Sequence, residues 1–219
     1  MTSLAERWLE AAYSGERWLM ALRPLEVLYR GVMRRRTQAY VDGRRAVWRA
    51  PVPVVVVGNI TLGGTGKSPL VAWLARHLGE AGWTPGILSR GYGGRSERYP
   101  LYLEADTPVT ESGDEPRMLA DQTDCPVVVD PDRPRGGRRL LEAGCDILIS
   151  DDGLQHLALG RDLEIVVVDG HRGLGNGHCL PAGPLREPVE RLATVDAVMI
   201  NGRRCRDIPA CGHAMRLTP

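Results

Sequence analysis

The chain has 219 residues, of which 43% are hydrophobic and 25% charged, a balance typical of an ordinary soluble globular protein. This composition excludes intrinsically disordered and collagen-like classes. The formal net charge of +1 gives no overall reason to expect nucleic acid as a partner. The charge is uneven, however, because residues 1–49 contain ten arginines against five acidic residues. We therefore expect a basic N-terminal arm before a mildly acidic body.

The cysteines indicate a reducing compartment, because they include no CxxC pair and their number is odd in a chain too long to need a disulfide framework. They are Cys125, Cys145, Cys179, Cys205 and Cys211. No apolar run reaches the ~20 residues that span a bilayer. The N-terminus also lacks the apolar core of a signal peptide. We expect no transmembrane helix and no signal peptide, with the chain in the cytosol or on the cytosolic face of a membrane.

The first predicted elements are two short amphipathic helices. Apolar residues recur at near-helical spacing through residues 3–22, with charged residues between them. Pro24 is expected to interrupt this pattern. A second apolar pattern, 25–33, then runs into the triplet Arg34–Arg36. Together they predict an N-terminal amphipathic and basic helical arm over residues 1–49.

From residue 51 onward, short β-branched runs alternate with helical patterns. The runs are too short for helices and too continuous for half-exposed strands, so they indicate strands that are buried on both faces. One helical pattern covers residues 69–82. Its predicted buried face consists of Leu70, Trp73, Leu74 and Leu78. The alternation predicts an α/β core over residues 50–219, with a mostly parallel sheet flanked by helices.

A strand, a glycine-rich loop and a helix are predicted in succession. Val54–Val57 is the strand, and Gly63–Ser68 is the loop. Pro69 falls in the first turn of the helix, where its missing N–H does no harm. Glycines let successive N–H groups point at phosphate oxygens, and the helix N-terminus adds partial positive charge. The segment predicts a P-loop NTPase-like fold, with ATP contacts at Thr61, Leu62, Gly63, Gly64, Thr65, Gly66, Lys67 and Ser68.

Lys67 is the only lysine in the chain, whose other basic residues are all arginine. A compact ammonium can reach the β- and γ-phosphates, where the planar fork of arginine is too bulky. The hydroxyl of Ser68 is expected to bind Mg²⁺. Phosphate loops have glycine where this chain has Thr61, so the first residue of the loop departs from the consensus. The alternative is a glycine-rich turn that carries a lysine by chance.

Asp151 and Asp152 follow the apolar run Ile147–Ile149, at the predicted carboxyl end of a strand. Sheets of α/β proteins place ligands at that end, and a P-loop enzyme needs an acidic residue there to hold Mg²⁺. Both are candidate metal ligands, and an Asp-Asp-Gly turn is the alternative. His156 lies a few residues on and is either a contact of the nucleotide or substrate or a structural histidine.

Other candidates have strong structural alternatives. Asp114 and Glu115 precede a short helix, where Asp114 would also make a good N-cap with Pro116 in the first turn. Arg133 and Arg186 are expected in loops after strand-like segments. Arginines there can neutralise charge on a transferring phosphoryl group. Their local pattern does not distinguish them from solvated surface arginines.

The order of the motifs resembles one known family. The segment "VPVVVVGNITLGGTGKSP" is followed by "LSRGYGG", "GDEPRMLA", "DRPRGG", "DDGLQH" with "RDLEIVVVD", and "LPAGPLREP". From about residue 20 to about residue 202, this order strongly resembles the tetraacyldisaccharide 4'-kinases, the lipid A 4'-kinases. The resemblance implies transfer of the ATP γ-phosphate to the 4'-hydroxyl of an acylated glucosamine disaccharide 1-phosphate. The products would be lipid IVA and ADP, with Mg²⁺ as cofactor.

The resemblance also implies roles for single residues. Asp114, in the GDEP motif, would act as general base on the sugar hydroxyl. Arg133 and Arg186 would stabilise charge during transfer, and Glu187 would contact Mg²⁺. The nucleotide and metal would lie against Asp151, Asp152, Gln155 and His156.

The resemblance further implies a peripheral protein at the cytoplasmic face of the bacterial inner membrane, where the acylated substrate lies. Trp8 and Trp18 of the arm suit such an interface, and the alternative is a helix packed on the sheet. Family chains continue into a C-terminal lobe whose histidine pairs with the GDEP aspartate, whereas this sequence ends at Pro219. We therefore expect a core that contains the ATP-binding residues without that lobe. Competing interpretations are a P-loop regulatory ATPase or switch protein, and a membrane-binding module with a degenerate nucleotide site.

Overall fold

The structure, a computed structural model, describes residues 3–203, 208 and 212–217. The chain divides into two compact units, each drawn from more than one segment. Unit 1 comprises Met1–Arg45, Asn59–Gly66 and Ile165–Pro219, and unit 2 comprises Ala46–Gly58 and Lys67–Glu164. The domain boundary expected near residue 49 stays a prediction.

Helices and strands alternate along the chain, which confirms the predicted α/β class. The helices are α1 (Leu4–Ser14), α2 (Arg23–Val41), α3 (Lys67–Glu80), α4 (Val109–Ser112), α5 (Asp114–Gln122) and α6 (Arg133–Glu142), with 3₁₀ segments at Arg17–Leu22 and Val189–Ala193. The strands are β1 (Val54–Gly58), β2 (Pro85–Ser89), β3 (Leu101–Tyr102), β4 (Val127–Val129), β5 (Ile147–Asp151), β6 (Leu163–Asp169), β7 (Ala197–Asn201) and β8 (His213–Met215).

Unit 2 is built on a mostly parallel sheet. Its strands lie in the order β3-β4-β2-β5-β1, and the short β3 runs antiparallel to β4. Every residue of β1, β2, β4 and β5 is buried. Helices α3, α5 and α6 pack on these strands. The continuous β-branched runs in the sequence therefore predicted fully buried strands correctly.

The parallel strands of unit 2 end in polar residues at one edge of the sheet. Ser89 closes β2 and pairs in register with Val129, the last residue of β4. Asp130, which follows β4, is fully buried. Asp151 closes β5 and is also buried. Because parallel strands share a direction, this edge collects the polar side chains of the candidate site.

Helix α3 buries the predicted face only in part, because Leu70 is buried and Leu74 and Leu78 are half-buried. Its buried apolar residues are Leu70, Val71, Ala72 and Ala75. Trp73 is 53% exposed and stacks on His77, with the ring centroids 5.1 Å apart. The expectation that Trp73 belongs to the buried face was wrong. Ala72 and Ala75 on the inner face let the helix backbone pack closely on the strands, whereas an indole would hold it away.

Unit 1 begins with a helix that carries its own capping box. The hydroxyl of Ser3 accepts a hydrogen bond from the Glu6 amide at 3.2 Å, and the Glu6 carboxylate accepts one from the Ser3 amide at 2.7 Å. Helix α1 ends at Gly15, whose φ of 75° is left-handed. The helical pattern predicted through residues 3–22 therefore breaks at Gly15, and Arg17–Leu22 continues as a 3₁₀ segment.

The second helix of the arm also has different boundaries from those predicted. Pro24 does not interrupt a helix but lies in the first turn of α2, where the missing N–H is tolerated. The triplet Arg34–Arg36 lies within α2 rather than at its end, because the helix continues to Val41. The sequence thus predicted two helical segments correctly and misplaced their ends.

Helix α2 exposes an apolar face to solvent. Leu25, Leu28 and Val32 are 52%, 65% and 56% exposed, and their spacing places them on one side of the helix. Glu26, on another side, is buried. A helix of a soluble domain usually buries its apolar side and exposes its charges. Helix α2 exposes this apolar row as well as most of its arginines, so the row is a candidate contact surface.

Unit 1 also contains a run of parallel strands. Strands β6, β7 and β8 are neighbours in that order. The register pairs Val166 with Val198, and Ile200 with Ala214. Strand β7 ends at Asn201, another polar residue at the carboxyl end of a strand.

Three cysteines lie in the part of the chain that the structure describes, and all three are free thiols: Cys125, Cys145 and Cys179. Burial raises the pKa of the last two to about 11, so both are protonated at neutral pH. Cys205 and Cys211 lie outside the described residues. Over residues 3–203, 208 and 212–217, no helix combines the length and apolar character that a bilayer crossing requires.

Replacing Leu148 with alanine should lower the free energy of unfolding by roughly 2–5 kcal/mol, because a packed leucine site would be emptied. Leu148 is fully buried in β5, which pairs with both β1 and β2. Urea denaturation measures the loss. The control Leu28→Ala, on the exposed face of α2, should change stability by less than about 0.5 kcal/mol. Equal losses in the two variants would contradict the assignment of β5 to the core.

Candidate functional site

The first part of the predicted phosphate loop, residues 61–66, lies in unit 1. Gly63 and Gly66 have φ values of 96° and 89°, a region that favours glycine. Thr61 and Thr65 are both buried. The hydroxyl of Thr65 has no hydrogen-bond partner among the described residues. The loop thus has the backbone conformation for which its glycines are suited.

The segment that contains Arg186 and Glu187 lies beside the start of this loop in unit 1. The amide of Arg186 donates to the carbonyl of Ile60 at 2.7 Å. The carbonyl of Arg186 accepts from the hydroxyl of Tyr29 on α2 at 2.8 Å. The carboxylate of Glu187 pairs with Nε of Arg191 at 3.2 Å. The structure therefore brings Arg186 next to the loop, while Glu187 forms an ion pair on the same segment.

A buried carboxylate on α2 supports the same part of unit 1. Glu26 is 3% exposed, and its Oε1 accepts a hydrogen bond from the Cys179 amide at 3.0 Å. Its Oε2 lies 3.3 Å from Nδ1 of His178. Nη1 of Arg30, on the next turn of α2, lies 4.0 Å from Oε1 of Glu26. Helix α2 is thereby fixed to the segment that leads into Arg186.

Lys67 and Ser68 are the first two residues of α3, and both are buried in unit 2. Pro69 follows them in the first turn, as predicted. Nζ of Lys67 lies 3.7 Å from Oδ1 of Asp152. Asp152 has a φ of 48°, which is uncommon outside glycine. A lysine at a helix N-terminus thus faces a carboxylate held in an unusual backbone conformation, as active-site residues often are.

Asp151 is a buried acid with unsatisfied hydrogen-bonding capacity. Its side chain is 1% exposed, and Oδ1 has no hydrogen-bond partner among the described residues. Burial raises its pKa to about 7, and the nearby charge of Glu115 acts in the same direction. Lys67 opposes that rise. The carboxyl group can therefore change its protonation state near neutral pH when a cation or a phosphate binds beside it.

Arg133 is the largest fully buried side chain among the described residues. Its Nη2 donates to the carbonyl of Asp151 at 2.7 Å, while Nε and Nη1 have no partner in the described part of the chain. Burial lowers its pKa to about 10, so the group stays charged at neutral pH. The expectation of a loop position was wrong, because Arg133 is the first residue of α6, after the N-cap Asp132. Two donors of a buried cation remain available to an anion.

Asp130 and Arg135 hold the turn that leads into α6. The guanidinium of Arg135 makes two hydrogen bonds to the Asp130 carboxylate, at 2.7 Å and 2.9 Å. The same carboxylate accepts from the Asp132 amide at 2.8 Å. This double contact orients the start of the helix on which Arg133 lies.

Asp114 is the exposed first residue of α5. The N-cap of this helix is Gly113, with a φ of 86°, so the alternative that Asp114 serves as the N-cap was wrong. The next residue, Glu115, is close enough to Asp151 to raise its pKa. The GDEP segment therefore lies at the same edge of unit 2 as Asp151.

Gln155 and His156 lie in the turns that follow β5, and both are half-buried. The amide of His156 donates to the carbonyl of Gly153 at 2.9 Å, and its carbonyl accepts from Nη2 of Arg161 at 2.6 Å. These contacts fix the backbone directly after the acidic pair. The roles of both side chains stay predictions.

The oxygen donors near Lys67 fit a magnesium ion that shares its coordination with a phosphate. No group of three or more His, Cys, Asp or Glu side chains forms a metal cage among the described residues. Mg²⁺ does not need such a cage, since it usually keeps several waters and binds one or two carboxylates plus phosphate oxygens. The open oxygen of Asp151 and the hydroxyl of Ser68 provide donors of this kind.

A buried strand, a glycine-rich loop and a helix that begins at Lys67, with carboxylates at the end of a parallel strand, define a P-loop kinase fold. The chain belongs to the tetraacyldisaccharide-1-P 4'-kinase family, which matches it over residues 18–217. The resemblance suggested by the motif order is therefore confirmed.

Several relatives share this family name. A tetraacyldisaccharide 4'-kinase of Azotobacter vinelandii is 53% identical over 99% of this chain and 65% of its own length. One of Alkalilimnicola ehrlichii is 62% identical over 84% of this chain and 55% of its own. The solved structure of LpxK from Aquifex aeolicus in complex with ATP has a TM-score of 0.78 and 32% identity, covering 91% of this chain and 64% of that one. The chain thus spans less than two thirds of the length of these relatives.

The sequence analysis missed three side chains that contact the loop in unit 1. Tyr13, Arg172 and Asn201 each donate a hydrogen bond to a loop carbonyl. Asn201 ends an apolar run, so the rule that identified Asp151 could have identified it too. Tyr13 and Arg172 have no such local signal, since their partners are distant in sequence.

The raised pKa of Asp151 predicts a loss of stability with increasing pH. Its pKa is about 7 in the folded chain and about 3.9 in an unfolded one, so folding is favoured while the carboxyl keeps its proton. This contribution is complete below pH ~4 and is lost as pH rises through 7. Between pH 5 and 8, the nucleotide-free wild type should lose roughly 1–3 kcal/mol relative to Asp151→Asn. Urea titrations at both pH values measure this change in the free energy of unfolding.

The control for this comparison is Asp106→Asn, because Asp106 is an exposed acid of the same unit. Its stability should follow that of the wild type at both pH values. Parallel curves for the wild type and Asp151→Asn would contradict the raised pKa.

Proposed function

We propose that the protein is an ATP-dependent kinase that phosphorylates the 4'-hydroxyl of an acylated glucosamine disaccharide 1-phosphate, a lipid A precursor. The observation that carries the proposal is Lys67 at the N-terminus of α3, 3.7 Å from Asp152 and next to the buried Asp151. These are parts that a P-loop phosphotransferase needs. The names of the relatives support this acceptor.

ATP is proposed to bind along residues 61–68, with further contacts from Gln155 and His156. The ATP complex of the Aquifex aeolicus LpxK supports this assignment. The ammonium of Lys67 faces Asp152, and it would also attract the β- and γ-phosphates of bound ATP. The amides of the loop and the N-terminus of α3 would supply the remaining hydrogen bonds.

Mg²⁺ is proposed as the cofactor, with Ser68, Asp151 and Asp152 as its protein ligands. When bound, the ion neutralises negative charge on the phosphates. Asp151 must release its proton to become a ligand, and its pKa of about 7 allows this near neutral pH. Glu187, which pairs with Arg191 in unit 1, stays a predicted fourth ligand.

The proposed chemistry is an in-line transfer that Asp114 assists as general base. The 4'-oxygen of the sugar forms a bond to the γ-phosphorus while the bond from that phosphorus to the bridging oxygen breaks, which releases ADP. The proton of the hydroxyl moves to the Asp114 carboxylate. Exposure of Asp114 at the start of α5 is compatible with access of a sugar hydroxyl.

Arg133 and Arg186 are proposed to stabilise charge during the transfer. This role is better supported for Arg133 than for Arg186, because a buried guanidinium with two donors unpaired among the described residues is preorganised for an anion. Arg186 belongs to the segment that hydrogen-bonds to Ile60, directly before the loop. Phosphoryl transfer depends mainly on such positioning and charge.

The membrane surface is the proposed second partner, through the N-terminal arm. Leu25, Leu28 and Val32 form an exposed apolar row on α2. The arm also carries an excess of arginines, which would attract anionic lipid head groups. A location at the cytoplasmic face of the bacterial inner membrane, as a peripheral protein, would place the site beside its acylated acceptor.

A kinase assay tests the proposed reaction. The full-length protein, incubated with ATP, Mg²⁺ and the tetraacyl disaccharide 1-phosphate, should form the 4'-phosphorylated lipid and ADP in equal amounts. Asp114→Ala should lower kcat by roughly 10²–10⁴-fold, because a general base is lost. Its dissociation constant for ATP should not change. Mass spectrometry of the lipid and calorimetry with ATP measure the two quantities.

The control in that assay is Asp106→Ala, since Asp106 is an exposed acid of the same unit. It should match the wild type in both quantities. Absence of 4'-phosphorylated lipid from the full-length wild type would contradict the proposed function, and an unchanged kcat in Asp114→Ala would remove the proposed base.

Vesicle binding tests the proposed membrane surface. Replacing Leu25, Leu28 and Val32 together with serine should weaken co-sedimentation with anionic phospholipid vesicles by at least roughly tenfold, because exposed apolar area is lost. Trp73→Ser, which removes an exposed aromatic residue outside the arm, is the control and should bind as the wild type does. Equal binding by the triple variant would contradict this role of α2.

A further inference from the structure

Three side chains of unit 1 hold the carbonyl oxygens of the loop. The hydroxyl of Tyr13 on α1 donates to the carbonyl of Leu62 at 2.6 Å. Nη2 of Arg172, in the turn after β6, donates to the carbonyl of Gly64. Nδ2 of Asn201, at the end of β7, donates to the carbonyl of Thr65 at 3.2 Å. We call Tyr13, Arg172 and Asn201 the carbonyl clamp.

The clamp is itself held in place. The carboxylate of Asp169 accepts from Nε of Arg172 at 2.8 Å and from the Arg172 amide at 3.1 Å. The guanidinium lies over the ring of Tyr13, 5.1 Å from its centroid. The Thr61 hydroxyl hydrogen-bonds to the phenol of Tyr13, while burial raises the pKa of that phenol. Neighbouring groups of unit 1 therefore hold the Tyr13 and Arg172 donors in position.

Two of the three glycines in residues 61–66 leave space for the clamp. A Cβ atom on Gly63 would lie 2.5 Å from Nη1 of Arg172, and one on Gly66 would lie 2.6 Å from Nδ2 of Asn201. Both glycines also have a positive φ. The positive φ favours glycine at both positions, and a Cβ atom at either one would displace the end of a clamp side chain.

Peptide planarity connects the clamp to the side of the loop that would face phosphate. In a trans peptide the carbonyl oxygen of one residue points away from the N–H of the next. The bond to Leu62 therefore orients the N–H of Gly63. The bonds to Gly64 and Thr65 orient the N–H groups of Thr65 and Gly66 in the same way. Phosphate loops bind with such N–H groups, so fixing their direction in advance removes part of the entropy cost of binding.

We propose that Tyr13, Arg172 and Asn201 are positioning residues that preorganise the loop for nucleotide binding. Because Tyr13 lies on α1, the N-terminal arm is then part of the nucleotide site and not merely a membrane contact. The inference rests on the proposed binding of ATP to the loop, and it is independent of the lipid acceptor.

Nucleotide titrations of conservative variants test this inference. Tyr13→Phe removes one hydroxyl and should weaken binding of Mg²⁺-ATP roughly 3- to 10-fold, the loss expected for one hydrogen bond. Arg172→Gln should weaken it roughly 10- to 100-fold, since a charged donor is lost. Asn201→Leu replaces the third donor with an apolar side chain of similar volume, and it should also weaken binding of Mg²⁺-ATP. Isothermal titration calorimetry measures the affinities, and thermal unfolding without ligand shows whether each variant is folded.

A kinetic comparison separates positioning from a general loss of structure. In the full-length enzyme, Tyr13→Phe should raise KM for ATP while KM for the lipid acceptor stays unchanged. Tyr40→Phe is the matched control, because Tyr40 also lies beneath an arginine of unit 1, with Arg45 5.7 Å from its ring centroid, but away from the loop. It should bind ATP as the wild type does.

The outcomes distinguish the inference from the proposed function. Wild-type affinity in folded Tyr13→Phe and Arg172→Gln, combined with loss of binding in Lys67→Ala, would overturn the clamp and leave the proposed ATP site intact. No ATP binding by the wild type would overturn both. Weakened ATP binding in the clamp variants, together with no phosphorylated lipid from the full-length enzyme, would support the clamp and contradict the kinase reaction.

Discussion

A loop that offers its N–H groups to a ligand must satisfy its carbonyl oxygens elsewhere, and this constraint shapes unit 1. Three carbonyls of residues 62–65 accept hydrogen bonds from side chains on α1, after β6 and at the end of β7. The glycines at positions 63 and 66 allow those side chains to approach. The N-terminal helix is therefore tied to the loop by Tyr13, and any membrane contact of the arm would act on a helix that also supports the proposed nucleotide site.

A second constraint, the free-energy cost of burying charge, acts on unit 2, where some buried groups are incompletely paired. Arg133 has two open donors, Asp151 has an open oxygen and a raised pKa, and Lys67 is 3.7 Å from its acidic neighbour. Such groups are expensive in a structure that never binds a ligand. A triphosphate with Mg²⁺ would supply the missing anion and cation together. This need for both charges supports the proposed phosphotransfer more than any single residue does.

The sequence predicted the parts of the fold and site that depend on local pattern. The runs that became β1 and β5, Lys67 at the start of α3, and the acidic end of β5 all followed from neighbouring residues. The burial of Arg133 was missed because sequence composition favoured a surface position for any one arginine, whereas packing of α6 decided its place. Trp73 was wrongly predicted to be buried, because helical periodicity does not reveal how closely a helix packs on a sheet. The contact of Tyr13 with Leu62 joins residues 49 positions apart, which no local pattern records.

The most direct test of the central claim is the response of the backbone amides of residues 63–68 to Mg²⁺-ATP. In ¹H–¹⁵N correlation spectra, ATP should shift these amide resonances and slow their hydrogen exchange, because their N–H groups would bind phosphate oxygens. Amides of the exposed residues 104–106 should not respond. Saturable ATP binding that leaves the amides of residues 63–68 unchanged would contradict the account.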